Sequence, residues 1–380
     1  MKILVIIAFF IIALRGMQYL YRSRWNKSLD VDIFFEQNYV FEGDEALVCE
    51  SVTNRKLLIL PVLMIKYQTD PYVRFVASDE EDNDSEFIFN DSMSDYIYKN
   101  DYVSILSYQA KKRHLPIRCV HRGYCSINSY TLVGFDLFLG NKMITKSDCF
   151  SELYIFPKLI NARDFDMRFN SLMGDVITKR YINEDPFTFK GIRDYQSYDS
   201  MRQINWGASA KSMNLMVNQY DNTSSLQVTI MLNLDRISGL RDDELDETSI
   251  SLAATLTDRL CSLGIPVSFI TNAKDNYTGN SIKIGHGCGQ EHIKNILMSL
   301  SKIGVYKNAP DDFSSMLSHE IITSSLNTWI FVISQTTNSA LSMAISKNIE
   351  SVRLIVPSRK STLDKIPDNL KSITTIWTLS

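Results

Sequence analysis

The hydrophobic period of this chain changes once, near Leu226, and that change constrains the fold more than any other feature. From residue 29 to about 159 the apolar residues come in short runs rich in β-branched and aromatic side chains. Examples are VDIFF (31–35), ALVCE (46–50), LPVLMIKY (60–67), YVSILSY (102–108) and LPIRCV (115–120). Turn signals such as Glu42-Gly43-Asp44 and Thr53-Asn54 separate them. Many short strands at this spacing predict an antiparallel β-sandwich over 28–160. An acidic stretch, SDEEDND (78–84), reads as a solvated loop, because it lacks the ligand spacing of a calcium-binding EF-hand.

Beyond 226, strand-like runs alternate with helical spacing. VTIMLNL (228–234), IPVSFI (265–270), WIFVI (329–333) and VRLIV (352–356) are the expected strands. Between the first two, Ile250, Ala253, Ala254, Thr257, Leu260 and Cys261 share one helix face, and Gly264 with Pro266 ends that helix. Ile293, Ile296, Leu297, Leu300 and Ile303 mark a second helix. Such alternation implies a mostly parallel sheet covered on both faces, an α/β doubly wound domain over 226–380.

The 380 residues are 45% hydrophobic, a folded composition and a length that suits two domains. The net charge of −3, from 40 basic and 43 acidic residues, lacks the basic excess of a duplex binder, so no nucleic-acid partner is expected. The six cysteines (Cys49, Cys119, Cys125, Cys149, Cys261, Cys288) form no compact framework and read as reduced core residues.

Residues 3–14 are an unbroken apolar run, and a helix can continue through Met17, Tyr19, Leu20 and Tyr21. A cleaved signal peptide needs a small-x-small site after its core, where Arg15, Met17, Gln18 and Tyr19 stand instead. The expectation is an N-terminal transmembrane helix, an anchor over 1–22. Arg15, Arg22, Arg24 and Lys27 follow the core and only Lys2 precedes it. The positive-inside rule then predicts a single-pass protein of the cell membrane with the bulk of the chain in the cytoplasm.

Between the two periodic regions, residues 161–225 join the domains and hold the most informative segment, 189–217. Three cations (Arg193, Arg202, Lys211) and two carboxylates (Asp194, Asp199) lie among aromatic and small residues there. Asp199 is placed to cap a short helix beginning at Ser200, with Ile204 and Ala208 on one face and Trp206 beside them. Arg193 and Arg202 are placed for bidentate pairs with Asp194 or Asp199. The expected role is a domain-joining brace of ion pairs around a buried Trp206; a docking surface is the alternative. Catalysis is not expected, because the segment contains no His or Cys to act as base or nucleophile.

The same segment resembles the signature of a bacterial family, domain of unknown function 58: F-x-G-h-R-E-Y-x-x-x-D-x-x-R-x-I-x-W-x-x-S-A-[RK]-x-x-x-L-x-V. Gly191, Arg193, Tyr195, Asp199, Arg202, Ile204, Trp206, Ser209, Ala210, Lys211, Leu215 and Val217 stand at the matching places. Asp194 replaces the usual Glu, and Tyr198 stands where a Gly usually precedes the Asp. Arg122-Gly123-Tyr124 followed by Asp136-Leu137-Phe138 looks like the family's R-G-x-Y … D-P-F turn, and Tyr154-Ile155-Phe156-Pro157 like its sandwich-closing strand. The resemblance implies a β-sandwich joined to a von Willebrand factor A-like domain, and a role as adaptor for a MoxR-type AAA+ ATPase. It implies no enzymatic activity. The family usually carries two N-terminal membrane helices, where one is expected here.

A von Willebrand factor A-like domain can hold Mg²⁺ through D-x-S-x-S after its first strand. Asn233, Asp235 and Ser238 are a degenerate version, because Ile237 and Gly239 supply no oxygen side chain, so no metal is expected. His114, Cys119, His121 and Cys125 are the soft-ligand cluster of the sequence, but their spacing matches no usual zinc module. The run 285–289 (GHGCG) lacks the Lys and Ser/Thr of a P-loop, and no G-x-S-x-G elbow is present. The chain thus reads as a non-catalytic, membrane-anchored interaction scaffold without cofactor, binding a protein such as a MoxR-type AAA+ ATPase. Gly191, Arg193, Asp194, Tyr195, Asp199, Arg202, Trp206, Ser209 and Lys211 are its interaction or structural residues. The alternative is a metal-dependent ligand binder or enzyme at the carboxyl end of the α/β sheet.

Overall fold

A computed structural model describes residues 2–76, 87–88, 96–136, 142–180, 189–196, 199–220, 226–235, 243–304, 312–325, 327–346, 349–359 and 366–378. The acidic stretch 78–84 lies outside them. The chain divides into two compact units, Met1–Lys158 and Leu159–Ser380.

The first unit opens with helix α1 (Lys2–Arg24), followed by β1 (Leu29–Phe35), β2 (Tyr39–Phe41), β3 (Glu45–Asn54), β4 (Leu60–Thr69) and β5 (Val73–Phe75). Next come β6 (Phe87–Ile88), β7 (Ile97–Ile105), β8 (Ala110–Cys119), β9 (Gly123–Phe135) and β10 (Lys142–Phe156). One sheet has the order β1-β3-β8-β5 and the other β2-β10-β9-β4-β7-β6. Pairing is antiparallel apart from β2 with β10. Along β1, Val31, Ile33 and Phe35 are buried while Asp30, Asp32 and Phe34 are exposed, as the two-residue period of a strand requires. Val48 and Ile117 from one sheet and Ile65 and Ile127 from the other share a single core, so the two sheets form a sandwich.

The second unit holds α2 (Ala162–Arg180), β11 (Phe189–Asp194), a 3₁₀ turn (Met201–Gln203), α3 (Trp206–Ser212), β12 (Met216–Tyr220) and β13 (Gln227–Asn233). These are followed by α4 (Asp243–Ser262), β14 (Val267–Lys274), β15 (Ser281–Gly287), α5 (Gln290–Lys302), α6 (Phe313–Thr323), β16 (Thr328–Ser334), α7 (Ser339–Ser346), β17 (Val352–Ser358) and β18 (Thr374–Thr378). The main sheet runs β15-β14-β13-β16-β17-β18, parallel except for the antiparallel edge strand β15. Every residue of β16 and β17 is buried, which is the mark of a sheet covered on both faces. Gly264 takes a left-handed φ of 71° just past α4, and Ile265 N donates to Leu260 O there, closing the helix. Helix α2, not anticipated in the joining region, packs Phe165 and Arg168 on the Trp377 ring of β18.

The expected architecture of a transmembrane helix, an antiparallel β-sandwich and a doubly wound von Willebrand factor A-like domain is corrected at its first element. Among the described residues no helix is long and apolar enough to cross a membrane. The chain is β-rich, with several sheets behind one N-terminal helix. The single-pass, cytoplasm-facing placement at a cell membrane falls with the anchor. The physical reason lies in the second half of α1. A span needs about 20 apolar residues, and the unbroken run stops at Leu14. Tyr21, on the continuation of that helix, and Trp25 just after it belong to the sandwich core at 2% and 4% exposure. The Tyr21 hydroxyl faces the carbonyls of Ile59 (2.9 Å) and Phe135 (3.2 Å). The Trp25 ring lies so close to Gly134 that a Cβ there would stand 2.5 Å from it.

Candidate functional site

The segment 189–217 folds as a hairpin of β11 and β12 that carries the 3₁₀ turn and α3 between its strands. Arg193 pairs with Val217 and Asp194 with Met216, and Tyr195 N donates to Leu215 O at 2.8 Å. The intervening turn is held by short-range polar contacts. Ser200, rather than Asp199, caps the 3₁₀ turn, accepting from Arg202 N. Asn205 caps α3 by accepting from Ala208 N at 2.9 Å, and its amide donates to Asn218 Oδ1 at 2.7 Å. The Ser209 hydroxyl donates to Asn205 O and accepts from Met216 N, both at 2.8 Å, so it ties α3 to β12. Met213 ends α3 in the left-handed region, φ 57°.

The ion pair forms with one of the two candidate carboxylates. Arg193 donates Nη1 to Asp199 Oδ2 at 2.6 Å and Nη2 to Asp199 Oδ1 at 2.7 Å. This fork is the strong form of an arginine–carboxylate contact. Asp199 Oδ2 also accepts from Gln196 N at 2.8 Å. The Arg193 guanidinium, aided by Gln196 N–H, holds the Asp199 carboxyl below its ordinary range. Asp194 and Arg202 point to solvent, as does Lys211, and Gly191 sits at the register irregularity of β11.

The apolar residues decide the character of the segment. Ile204 and Val217 are buried, but Trp206 is 67% exposed, Met201 72% and Met213 95%. Leu215 and Ile192 are also exposed. The expected packing of Trp206 between Ile204 and Ala208 is therefore corrected. Among the described residues of the turn, the Arg193–Asp199 fork and the Asn205 cap make the tying contacts that a buried indole was expected to supply.

At the carboxyl end of the parallel sheet, Asn233, Asp235 and Asn272 converge; Ser238 lies outside the described residues. The Asn272 amide donates to Asn233 Oδ1 (2.9 Å) and to Asp235 Oδ1 (2.8 Å), and Asn233 donates to Ser334 Oγ at 3.0 Å. An amide N–H₂ thus occupies the space between the two oxygens that would otherwise face a cation. Burial, then the nearby Asp312, raises the Asp235 carboxyl above its ordinary value.

The soft-ligand cluster read from sequence is not assembled. Cys119 and Cys125 are fully buried in the sandwich core, while His121 is exposed. His114 instead gathers with Glu36, which no sequence motif singles out, and with Cys49, expected only as a reduced core residue. Their ligand atoms lie within 4.8 Å of one another. Only the register Cys49↔His114 between β3 and β8 brings them together, and no local motif signals it.

No family model matches the chain, and no curated protein matches it either. Solved structures give distant likenesses. The sixth cohesin of scaffoldin B from Acetivibrio cellulolyticus is 8% identical, covers 33% of this chain and 98% of its own, and has a TM-score of 0.23. A CARDB domain from Pyrococcus furiosus is 11% identical over 34% of this chain and 90% of its own, with a TM-score of 0.21. A non-cellulosomal cohesin from Archaeoglobus fulgidus is 11% identical over 36% and 96%, with a TM-score of 0.22. Likenesses at this level carry no functional conclusion.

Proposed function

We propose that this protein is a non-catalytic interaction module whose contact surface is the hairpin 189–217. One observation carries the reading: Trp206, Met201 and Met213 are exposed on a backbone that ion-pair and capping contacts hold in place. Large exposed apolar side chains cost solvation in the free protein and are recovered on binding; Trp and Met are enriched at interfaces for that reason. A backbone tied by such contacts also has less ordering to do on association. Arg202 and Lys211, exposed beside these anchors, favour a partner surface that is acidic around an apolar pocket. The resemblance of 191–217 to domain of unknown function 58 names the partner class as a MoxR-type AAA+ ATPase. The rival reading, a metal-dependent site at Asn233 and Asp235, is disfavoured by the Asn272 amide that bridges them.

The test is capture of the purified ATPase by the purified full chain. Trp206→Ala should melt within about 0.5 kcal/mol of wild type, as exposed substitutions do, yet lose capture. A Trp206→Ala protein that folds and still captures its partner with unchanged affinity would exclude the hairpin as the contact surface.

A further inference from the structure

Three neighbouring strands of the four-stranded sheet bring metal-ligand side chains together on its outward face. Along β3, Ala46, Val48 and Val52 point into the sandwich core, so the alternation of the strand turns Cys49 outward. His114 lies directly opposite Cys49 on β8. On the other side Phe34 of β1 pairs with Cys49, and Glu36 follows two residues later on the same face. Glu36 Oε1 is 2.9 Å from His114 Nδ1, and the carboxylate, thiol and imidazole ligand atoms all lie within 4.8 Å of one another. The Cys49 thiol is buried, while the side chains of His114 and Glu36 keep 45% and 27% exposure and open the cluster to solvent.

We propose that Glu36, Cys49 and His114 form a binding site for Zn²⁺, with water in the fourth position. Thiolate, imidazole and carboxylate are the ligand types this ion takes, and three protein ligands leave one open place. Zn–S of about 2.3 Å and Zn–N and Zn–O of about 2.0–2.2 Å set ligand–ligand edges of roughly 3.5 Å. Side-chain rotation alone can bring the spacings to that value, opening the 2.9 Å Glu36–His114 contact slightly, because the three backbones are already fixed by their hydrogen bonds. Lys112 is the opposing element: its Nζ stands 3.9 Å from Glu36 Oε1. In the metal-free protein it neutralises the carboxylate, and at 55% exposure it is free to swing into solvent when the ion enters.

Co²⁺ titration of the chelator-stripped full chain tests the site, since thiolate ligation gives Co²⁺ a near-ultraviolet charge-transfer band and tetrahedral geometry gives it intense visible bands. One equivalent should bind and be displaced by Zn²⁺. Cys49→Ser, a near-isostere on an outward face, should abolish the charge-transfer band with the circular dichroism spectrum unchanged. His114→Ala should weaken binding by about 100-fold or more, at least the loss seen for outer-shell partners. Lys112→Ala should tighten it by removing the competing charge. Cys288→Ser controls for the exposed thiol elsewhere in the chain and should leave the spectrum intact. A wild-type chain without the charge-transfer band, or a Cys49→Ser protein that retains it, would overturn the assignment.

Discussion

Replacing Glu50 by Gln should change how stability depends on pH, and the sandwich core shows why. Glu50 on β3 and Arg113 on β8 are directly opposite and point inward, and Asp101 of β7 and Tyr67 of β4 meet them from the other sheet. Arg113 Nη1 is 3.2 Å from Asp101 Oδ2. One cation thus faces two carboxyls, and Glu50, 1% exposed and with neither oxygen in a well-formed hydrogen bond, is the one left to stay protonated. Burial first, then the neighbouring Asp101, pushes its carboxyl from 4.5 up to about 8. In the unfolded chain the group ionises near 4.5; in the folded protein it holds its proton until about 8. The favourable contribution is therefore complete below the ordinary Glu range and is lost as pH rises through about 8. For an isolated group the loss is on the order of 5 kcal/mol, an upper bound because Arg113 offsets part of it. Denaturation of wild type and Glu50→Gln at pH 5, 6, 7, 8 and 9 is the assay. Gln mimics the neutral acid, so the variant should gain on wild type steadily between pH 5 and 8 and then level off. His286, exposed on the edge strand β15 with its pKa lowered chiefly by partial desolvation of the ring, acts with the opposite sign in acid, and the wild-type-to-variant difference cancels it. Parallel stability profiles for the two proteins would refute the reasoning.

Other outcomes are equally direct. Arg193→Ala leaves the Asp199 carboxylate, only 4% exposed, without its guanidinium, and should lower the melting temperature of the second unit. Because Asp199 titrates below its ordinary range, the wild-type advantage over Arg193→Ala should be present at neutral pH and vanish as acid protonates Asp199. Mg²⁺ should leave thermal melting unchanged, whereas a cation at 100 times its Kd would stabilise by about 2.7 kcal/mol; a chelator-reversible rise would show that Asn272 yields its place to the ion. A thiol reagent applied to the native metal-free chain should modify exposed Cys288 first and half-buried Cys149 more slowly, and rapid loss of any of the four buried thiols, Cys49, Cys119, Cys125 or Cys261, would contradict the packing.

Periodicity alone located many individual elements. The run at 228–234 matches β13 to within one residue, and Val228, Ile230, Met231 and Leu232 there are all completely buried. Ile250, Ala253, Ala254, Thr257, Leu260 and Cys261 form the buried stripe of α4 as their spacing requires. These are local facts, because the 3.6- and two-residue periods are properties of a single element in isolation. The apolar run at 3–14 was legible too, but its meaning was not. A long apolar helix start is compatible with lipid or with a protein core, and Tyr21 and Trp25 reach the sandwich only once β4 and β9 have brought Ile59, Gly134 and Phe135 into place. Trp206 is the reverse case: composition predicts burial, and the Arg193–Asp199 fork orders the turn without it. The grouping of Glu36, Cys49 and His114, and of Glu50 with Asp101, depends on strand register between segments tens of residues apart. A shift of one residue would send each of these side chains to the other face, so only the assembled sheets decide which charges meet.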